Sequence, residues 1–517
     1  MEVAVLIHDY IDYWAMRKPH ELCATDGERS LTWLEMQVWT RKIASWLGSR
    51  MESGRRFGIL SRNSLEIFAL YFGASRVGAV AVPLNVRLAP PEWKYILNDA
   101  NVELLIAEEE FTDAVESIRN DLQAPVYLAR GRKHGWKSFE EEISAGDSDV
   151  PERAIDITDP LYQMYTSGTT GLPKGAVLSH LAVTSNVLQI QAGLQIAGSQ
   201  GLVVMPLFHG GAAISTFLFV AHGMTVRILR EFNPDNVVEL LKNEPIAAVT
   251  LVPSMIQMLL QVPSVTDGNY EHLDVIAYGA APIASDVLRK AIATFGCRFA
   301  QGYGLTETSA TATVLYPDDH ELALRGNPGL LLSAGRPMLA TEIRIVDSNG
   351  GELPPGEIGE VMVRGPQLMS GYANLPDATA ASLRDGWLST GDAGYLDSNG
   401  YLFLSDRVKD MIVSGGENVY PREIEEVLFK LAGVLDAAVV GVPDERWGEV
   451  PLAFIVADPQ QDLRESDVIE HCRQLLARYK CPQSVEFVSA LPLNATGKIL
   501  KRELRAPYWR GRERSIG

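Results

Sequence analysis

An α/β fold is predicted for this chain: a large N-terminal domain of doubly wound, mostly parallel sheets with a β-rich subdomain, followed by a small α+β C-terminal domain. Three observations predict it. Short apolar runs of strand length alternate with helix-period segments through residues 57–301, as a parallel sheet covered on both faces requires. Beyond Gly326 the segments shorten and are separated by Asn349-Gly350-Gly351, Pro354-Pro355-Gly356 and Ser398-Asn399-Gly400, the punctuation of a β-rich subdomain shaped as a distorted barrel. The last hundred or so residues then carry their own set of helices and strands.

The elements follow in order. Thr32-Trp33-Leu34-Glu35 has the spacing of a capping box, and Met36, Trp39, Ile43, Trp46 and Leu47 recur at helical spacing behind it. Residues 57–60 read as a strand, 64–75 as an apolar helix, 79–82 as a buried strand, 91–98 as a helix and 102–106 as a strand. The polar run 130–159 reads as a surface loop. Strands are expected at 161–165, 202–205, 248–252, 275–278 and 298–301, with helices at 234–242 and 285–295. Residues 201–226 contain no Asp, Glu and no Lys, and with Pro206, Gly210, Gly211 and Gly223 they read as strand, loop, buried helix and turn rather than a membrane span. Strands at 342–346, 359–364 and 401–404 build the subdomain. In the C-terminal part, Pro421 opens a helix whose apolar face is Ile424, Val427, Leu428 and Leu431, followed by strands at 437–442, 452–457 and 485–488 and a helix at 468–477.

Bulk properties exclude several classes. The 517 residues suggest roughly three domain-sized units, and 46% hydrophobic residues supply a large core. A net charge of -19, from 46 Lys and Arg against 65 Asp and Glu, repels nucleic acid and anionic membranes, so an anionic substrate needs a local basic site. Four cysteines, Cys23, Cys297, Cys472 and Cys481, lack metal-ligand spacing and are too few for a disulfide framework, which indicates a reducing cytoplasm. The first residues lack the basic and apolar regions of a signal peptide, and no transmembrane segment is expected.

Residues 165–175 read Tyr-Thr-Ser-Gly-Thr-Thr-Gly-Leu-Pro-Lys-Gly. Thr166, Ser167, Thr169 and Thr170 supply hydroxyl donors, Gly168 and its neighbours leave backbone N–H groups accessible, and Lys174 adds a fixed cation; a polyphosphate needs all three. The loop follows the carboxyl end of an expected strand, where ligands bind in such folds. It is not a Walker A loop, because Lys174 stands between Pro173 and Gly175 rather than before a Ser or Thr.

Five further stretches accompany it: Gly279-Ala280-Ala281-Pro282, Gln301-Gly-Tyr-Gly-Leu-Thr-Glu307, Ser389-Thr-Gly-Asp392, the run from Asp406 through Ser414-Gly415-Gly416 to Asn418, and Asn494-Ala-Thr-Gly-Lys498. In order and spacing these resemble the core motifs of the adenylate-forming superfamily, in its acyl-CoA synthetase branch of fatty-acid and aryl-acid ligases. The resemblance spans essentially the whole chain. It implies ATP, Mg²⁺ and coenzyme A as cofactors and co-substrates, a small carboxylic acid as the remaining substrate, and no nucleic-acid partner; a homodimer is compatible with it.

The resemblance also implies roles. The loop from Thr166 through Ser167, Gly168, Thr169 and Thr170 to Lys174 would hold the β- and γ-phosphates. Glu307 would bind Mg²⁺ and Thr306 the α-phosphate. Tyr303 would lie against adenine, with the backbone of Gly279, Ala280 and Ala281 along its edge, while Asp392 and Arg407 would reach the ribose. Lys498 would bridge the substrate carboxylate and the α-phosphate in the adenylation transition state. His209, in Pro206-Leu-Phe-His-Gly-Gly211, would stand beside the acyl pocket and thiol tunnel, although a histidine in an apolar run is equally a packed core residue. The resemblance divides the chain into an ATP- and acyl-binding domain, residues 1–406, and a mobile C-terminal domain, residues 407–517, hinged near Lys409. Gly415 and Gly416 would face the pantetheine arm, and Trp447, Arg473, Arg478 and Lys480 the CoA nucleotide, although an amphipathic helix with solvated charges accounts for these residues equally well.

The implied reaction adenylates a carboxylic acid, releases pyrophosphate, and transfers the acyl group to a thiol with loss of AMP. The expected thiol is CoA and the expected acid fatty or aryl, with the glycines, alanines and apolar residues of 208–215, 277–279 and 302–310 leaving room for it. The alternatives are transfer to a separate carrier protein and a non-catalytic adenylate-binding scaffold. The last would forfeit metal, ribose or lysine positions, yet Glu307, Asp392 and Lys498 are present.

Overall fold

The computed structural model describes residues 5–122, 126–128, 133–151, 153–166, 173–281, 283–407, 410–414, 417–444, 446–476, 478–493 and 499–510. The α/β architecture is as expected, and the alternating strands form two large sheets. The first has nine strands, with Arg298–Tyr303, Val275–Gly279, Ile246–Leu251, Gln200–Val203, Thr225–Ile228 and Leu22–Thr25 running parallel in that spatial order. The second has eight, in which Pro160–Thr166, Val80–Pro83, Arg56–Leu60, Leu104–Ala107, Val126–Leu128 and Lys137–Ser138 are parallel neighbours.

Two helices explain how the sheets are held together. Leu65–Ser75 is buried along its whole length and Gly210–Ala221 along nearly all of it, the condition of a helix that is apolar all round and packed between layers. Phe217 meets both Tyr71 and Phe72 edge-on, each at 5.6 Å between ring centroids, and Tyr71 continues to Tyr162 on the second sheet at 6.1 Å. The Tyr71 hydroxyl donates to the Leu207 carbonyl at 2.8 Å, which satisfies its one polar atom. Asn63 clips the strand ends of both sheets to one rim: its Nδ2 donates to the carbonyls of Met205 at 2.9 Å and Leu229 at 3.0 Å, and its Oδ1 accepts from Leu207 N at 2.7 Å.

Local signals are realised as expected. Thr32 Oγ1 accepts from Glu35 N at 3.3 Å and Glu35 Oε2 from Thr32 N at 2.8 Å, closing the capping box of Trp33–Gly48. Ser64 caps Leu65–Ser75. The polar run differs from a plain loop, since Ser138 caps a short helix, Phe139–Ala145, that buries Phe139 and Ile143. The subdomain is a five-stranded antiparallel sheet built on Glu342–Val346, Gly359–Arg364 and Trp387–Leu396, branched at Trp387–Leu396 rather than closed as a barrel among the described strands. Among the described residues no helix is long and apolar enough to cross a membrane.

From Ile412 onward a second five-stranded sheet carries a core on each face. Pro421–Leu428 and Glu465–Leu475 cover one face through Ile424, Leu428, Val468 and Cys472, while Leu491 and the partly buried Leu504 and Tyr508 cover the other against Val440, Leu452 and Phe454.

Two histidines lie close together beneath the surface, His180 fully buried and His8 largely so. His8 Nδ1 lies 2.8 Å from Ser75 Oγ, and neither ring nitrogen of His180 has a hydrogen-bond partner among the described residues. Burial, aided by Arg76 and Arg41 and opposed by Asp12, pushes His8 down to about 3; burial alone pushes His180 down to about 4. Both therefore stay neutral in the folded chain while the unfolded chain protonates near pH 6.5. Stability from this source is complete above pH 6.5 and falls as pH drops toward 4, by up to about 1.4 kcal/mol per pH unit for each histidine. Urea titrations at pH 7, 6 and 5 should show that fall, and it should be shallower in His180→Leu; an unchanged slope would remove His180 from the account.

Candidate active site

The phosphate-loop candidate sits at the tip of a hairpin. Pro160–Thr166 returns antiparallel as Lys174–Ser179, with Thr166 opposite Lys174 and Tyr165 opposite Gly175. Gly175 thus belongs to the returning strand, where glycine is required by crowding: a Cβ there would lie 2.5 Å from Gln163 Nε2 and 2.9 Å from Tyr165 Cζ. A polar chain fixes the base of the hairpin. Arg56 Nε donates to Gln163 Oε1 at 2.7 Å, Gln163 Nε2 to Tyr165 Oη at 2.9 Å, and Tyr165 Oη to Asp99 Oδ2 at 2.6 Å. Burial and the Asp99 charge hold the Tyr165 phenol protonated well above its ordinary range, so it remains a donor. Ser167, Gly168, Thr169 and Thr170 lie outside the described residues.

The returning strand brings the cation to the metal-ligand candidate. Lys174 Nζ stands over the ring of Tyr372, 5.0 Å from its centroid, and the Tyr372 hydroxyl donates to Glu307 Oε1 at 2.7 Å. Glu307 is in the single 3₁₀ turn Thr306–Thr308, which packs against Lys174–Ser179. Sequence reasoning missed Tyr372. Its two-residue strand, Gly371–Tyr372, pairs with Lys174–Ser179 across a long stretch of chain, and no local pattern announces such a pairing.

A second group forms where the nine-stranded sheet meets the subdomain. The Tyr303 hydroxyl donates to Asp392 Oδ2 at 2.8 Å. Tyr303 also packs among Ala334, Ile345, Val361 and Leu402, so it is a core aromatic and a partner of the ribose candidate at once. Asp392 stands opposite Arg407 in the backbone register of Trp387–Leu396 and Leu402–Arg407. Gly279 ends its strand beside Gly302, and a Cβ on it would lie 2.3 Å from the Gly302 carbonyl oxygen. Past it Ala280 adopts φ 66°, and after Glu307 come Ser309 at 52° and Ala310 at 81°. Three left-handed non-glycine residues around one rim are the kind of strain that clusters at ligand sites.

His209 precedes Gly210–Ala221, and its carbonyl accepts from Ala213 N at 3.1 Å. A Cβ on Gly210 would lie 3.7 Å from Met164 Sδ and 3.8 Å from Ala310 Cβ, which puts this helix start beside the turn bearing Thr306 and Glu307. Along the helix, Ser215 Oγ lies 2.9 Å from Thr250 Oγ1, and Thr250 is the register partner of Ala277. Gly211, Ser215, Thr250, Ala277 and Gly302 are only half-buried within otherwise buried elements, and so define an open wall of small residues with two hydroxyls paired to each other.

The remaining candidates divide simply. Thr166, Lys174, His209, Gly279, Ala280, Ala281, Tyr303, Thr306, Glu307 and Asp392 are described; Lys409, Gly415, Gly416 and Lys498 lie outside the described residues, as does the Arg407 side chain. The Lys480 ammonium donates to both Glu423 carboxylate oxygens at 2.7 Å. Trp447 is 43% exposed, with Arg446 over its ring at 4.8 Å.

The chain is 39% identical over 497 residues to the fatty acid–[acyl-carrier-protein] ligase ScoC of Streptomyces coeruleorubidus, covering 94% of this chain and 93% of that protein. It is 36% identical over 502 residues to a feruloyl-CoA synthase of an Amycolatopsis species, covering 96% and 98%. Among solved structures, a Mycobacterium tuberculosis fatty acyl CoA synthetase superimposes with a TM-score of 0.77 at 33% identity, covering 97% of this chain and 98% of that one. Fold and relatives define the class, an adenylating ligase of carboxylic acids. Residues 11–373 match the model of the AMP-binding enzyme family and residues 423–498 that of the AMP-binding enzyme C-terminal domain. The chain belongs to the AMP-binding enzyme family.

Proposed function

We propose that this enzyme is an acyl-CoA synthetase that activates a fatty or aryl carboxylic acid with ATP and delivers the acyl group to coenzyme A. The observation that carries the adenylation step is the meeting of Lys174, Tyr372 and Glu307 at the mouth of the hairpin, a cation and a hard oxygen ligand at one rim. In the first half-reaction a carboxylate oxygen attacks the α-phosphorus, the bond to the bridging oxygen breaks, and pyrophosphate leaves. In the second, a thiolate attacks the acyl carbonyl and AMP leaves with the electron pair of the broken C–O bond.

The residues fit Mg²⁺. Among the described residues no cluster of three His, Cys, Asp or Glu side chains is poised to hold a metal, and Mg²⁺ in nucleotide sites takes one or two carboxylates plus phosphate oxygens. Glu307 is that carboxylate, and bound Mg²⁺ would neutralise charge on the departing pyrophosphate. Lys174 serves the same leaving group. Thr306 donates to the α-phosphate, Tyr303 and the backbone of residues 279–281 frame adenine, and Asp392 with Arg407 accepts and orients the ribose. Lys498, carried by a C-terminal domain that begins at residue 407 and hinges at Lys409, stabilises the charge shared by carboxylate and phosphate. After it withdraws, Gly415 and Gly416 face the incoming thiol, with His209 beside the acyl group. We place these reactions in the cytoplasm.

CoA is favoured as acceptor by the feruloyl-CoA and fatty acyl CoA relatives, while the carrier-protein ligase keeps the alternative in view. The open wall from Gly211 to Ala277 suits an apolar acid. The test is an acid panel of aliphatic chains and hydroxylated aryl acids with Mg·ATP, scored for thioester on CoA and on phosphopantetheinylated acyl carrier protein. A thioester on CoA is expected. Thioester formed only on the carrier would replace the acceptor, and no acid-dependent release of pyrophosphate would remove the ligase reading of the site.

A further inference from the structure

Tyr372 joins two groups to which the proposed reaction gives separate tasks. Its position is fixed by backbone on both sides. Met369 N donates to the Glu307 carbonyl at 2.8 Å, Ser370 N to the Val177 carbonyl at 2.9 Å, and Ala373 N to the Gly175 carbonyl at 2.8 Å. Residues 369–373 are therefore a strap running from the turn that bears Glu307 to the strand that bears Lys174. Tyr372 N donates to Thr379 Oγ1 at 2.9 Å, and Gly371, at φ 149°, would carry a Cβ only 2.8 Å from Thr379 Cγ2. The strap cannot shift without losing several of these contacts.

The side chain uses that fixed position twice. Its hydroxyl occupies one lone-pair direction of Glu307 Oε1, which sets the plane of the carboxylate and leaves the other oxygen for a different partner. Its ring face carries the Lys174 ammonium at 5.0 Å. No direct Lys174–Glu307 ion pair occurs among the described residues: the ammonium faces the phenol ring and the carboxylate takes its hydroxyl.

We propose that Tyr372 is a positioning residue that orients the Glu307 carboxylate toward the metal and holds Lys174 away from it, so that ligand and cation address the same polyphosphate separately. This rests on the assignment of Glu307 as the Mg²⁺ ligand.

The experiment compares full-length Tyr372→Phe, Tyr372→Leu, Glu307→Gln and the Tyr372→Phe, Glu307→Gln double variant. The probe is Mn²⁺ with ATP, bound metal being read by electron paramagnetic resonance, alongside the Mg²⁺ dependence of acid-dependent ATP–pyrophosphate exchange. Tyr372→Phe keeps the ring and loses only the donor, and should weaken metal binding about tenfold, the usual scale for a partner of a metal ligand, with the KM for the acid unchanged. Tyr372→Leu should in addition raise the KM for ATP, as Lys174 collapses onto Glu307. In the Glu307→Gln background, Tyr372→Phe should add nothing further. Metal binding shifted by Glu307→Gln but untouched by Tyr372→Phe overturns the proposal and leaves the Glu307 assignment standing. Metal binding shifted by neither variant overturns that assignment. A lowered thermal midpoint with unchanged metal affinity also overturns the proposal, since it is what a purely structural tyrosine would give.

Discussion

Lys498→Ala should lower acid-dependent ATP–pyrophosphate exchange by at least about 10²- to 10³-fold, the effect of deleting one preorganised charge stabiliser, while ATP affinity changes little. The asymmetry follows from the chemistry. A carboxylate and a triphosphate repel each other most as the new bond forms, so a cation between them acts on the barrier rather than on the bound ground state. Lys174 is a different cation, held over Tyr372 at the hairpin mouth, and should act through the leaving group. Exchange rates and ATP affinity measured on one preparation separate the cases. Equal loss in both would make Lys498 a binding residue, and unchanged exchange would remove it from the mechanism.

Gly279→Ala should cost about 2–3 kcal/mol of stability and with it most nucleotide affinity. The added Cβ would meet the Gly302 carbonyl oxygen at 2.3 Å, and that obstacle is backbone of the neighbouring parallel strand, which cannot rotate aside. Relief requires the two strand ends to part where Ala280 and Tyr303 begin the proposed adenine frame. Gly296→Ala is the internal control. Its φ of 62° carries the left-handed cost of roughly 1 kcal/mol, but nothing lies within 4 Å of its Cβ, and it is far from the rim. Urea midpoints for both variants, with ATP titrations, should rank Gly279→Ala well below Gly296→Ala; equal midpoints would mean the strand ends yield easily.

What could be read in the sequence was what local patterns encode. The bounds of Ser285–Phe295, Glu342–Val346 and Gly359–Arg364 coincide with the expected elements, because each is a periodic run between clear turn residues. The helix His180–Gly193 was not expected, since its apolar residues are spread around the axis and show no one-sided period. Phe139–Ala145 was hidden by three consecutive glutamates. Arg336–Pro337 and Gly371–Tyr372 are two-residue strands that exist only through pairing with distant partners. The candidate site divides the same way. Lys174, Glu307, Tyr303 and Asp392 stand in recognisable motifs, whereas Tyr372 is found only by register.

The double-sided core of the C-terminal sheet has a mechanical consequence. Helices cover one face and the final segments the other, so this unit exposes no buried apolar layer when it is displaced. One bond to the preceding subdomain is polar and partly buried, from Arg422 Nη1 to the Leu404 carbonyl at 3.1 Å. Such a bond can be exchanged for water at small net cost. If the unit swings about the proposed hinge at Lys409, two docked poses that lie close in free energy would let the bound intermediate decide which is occupied.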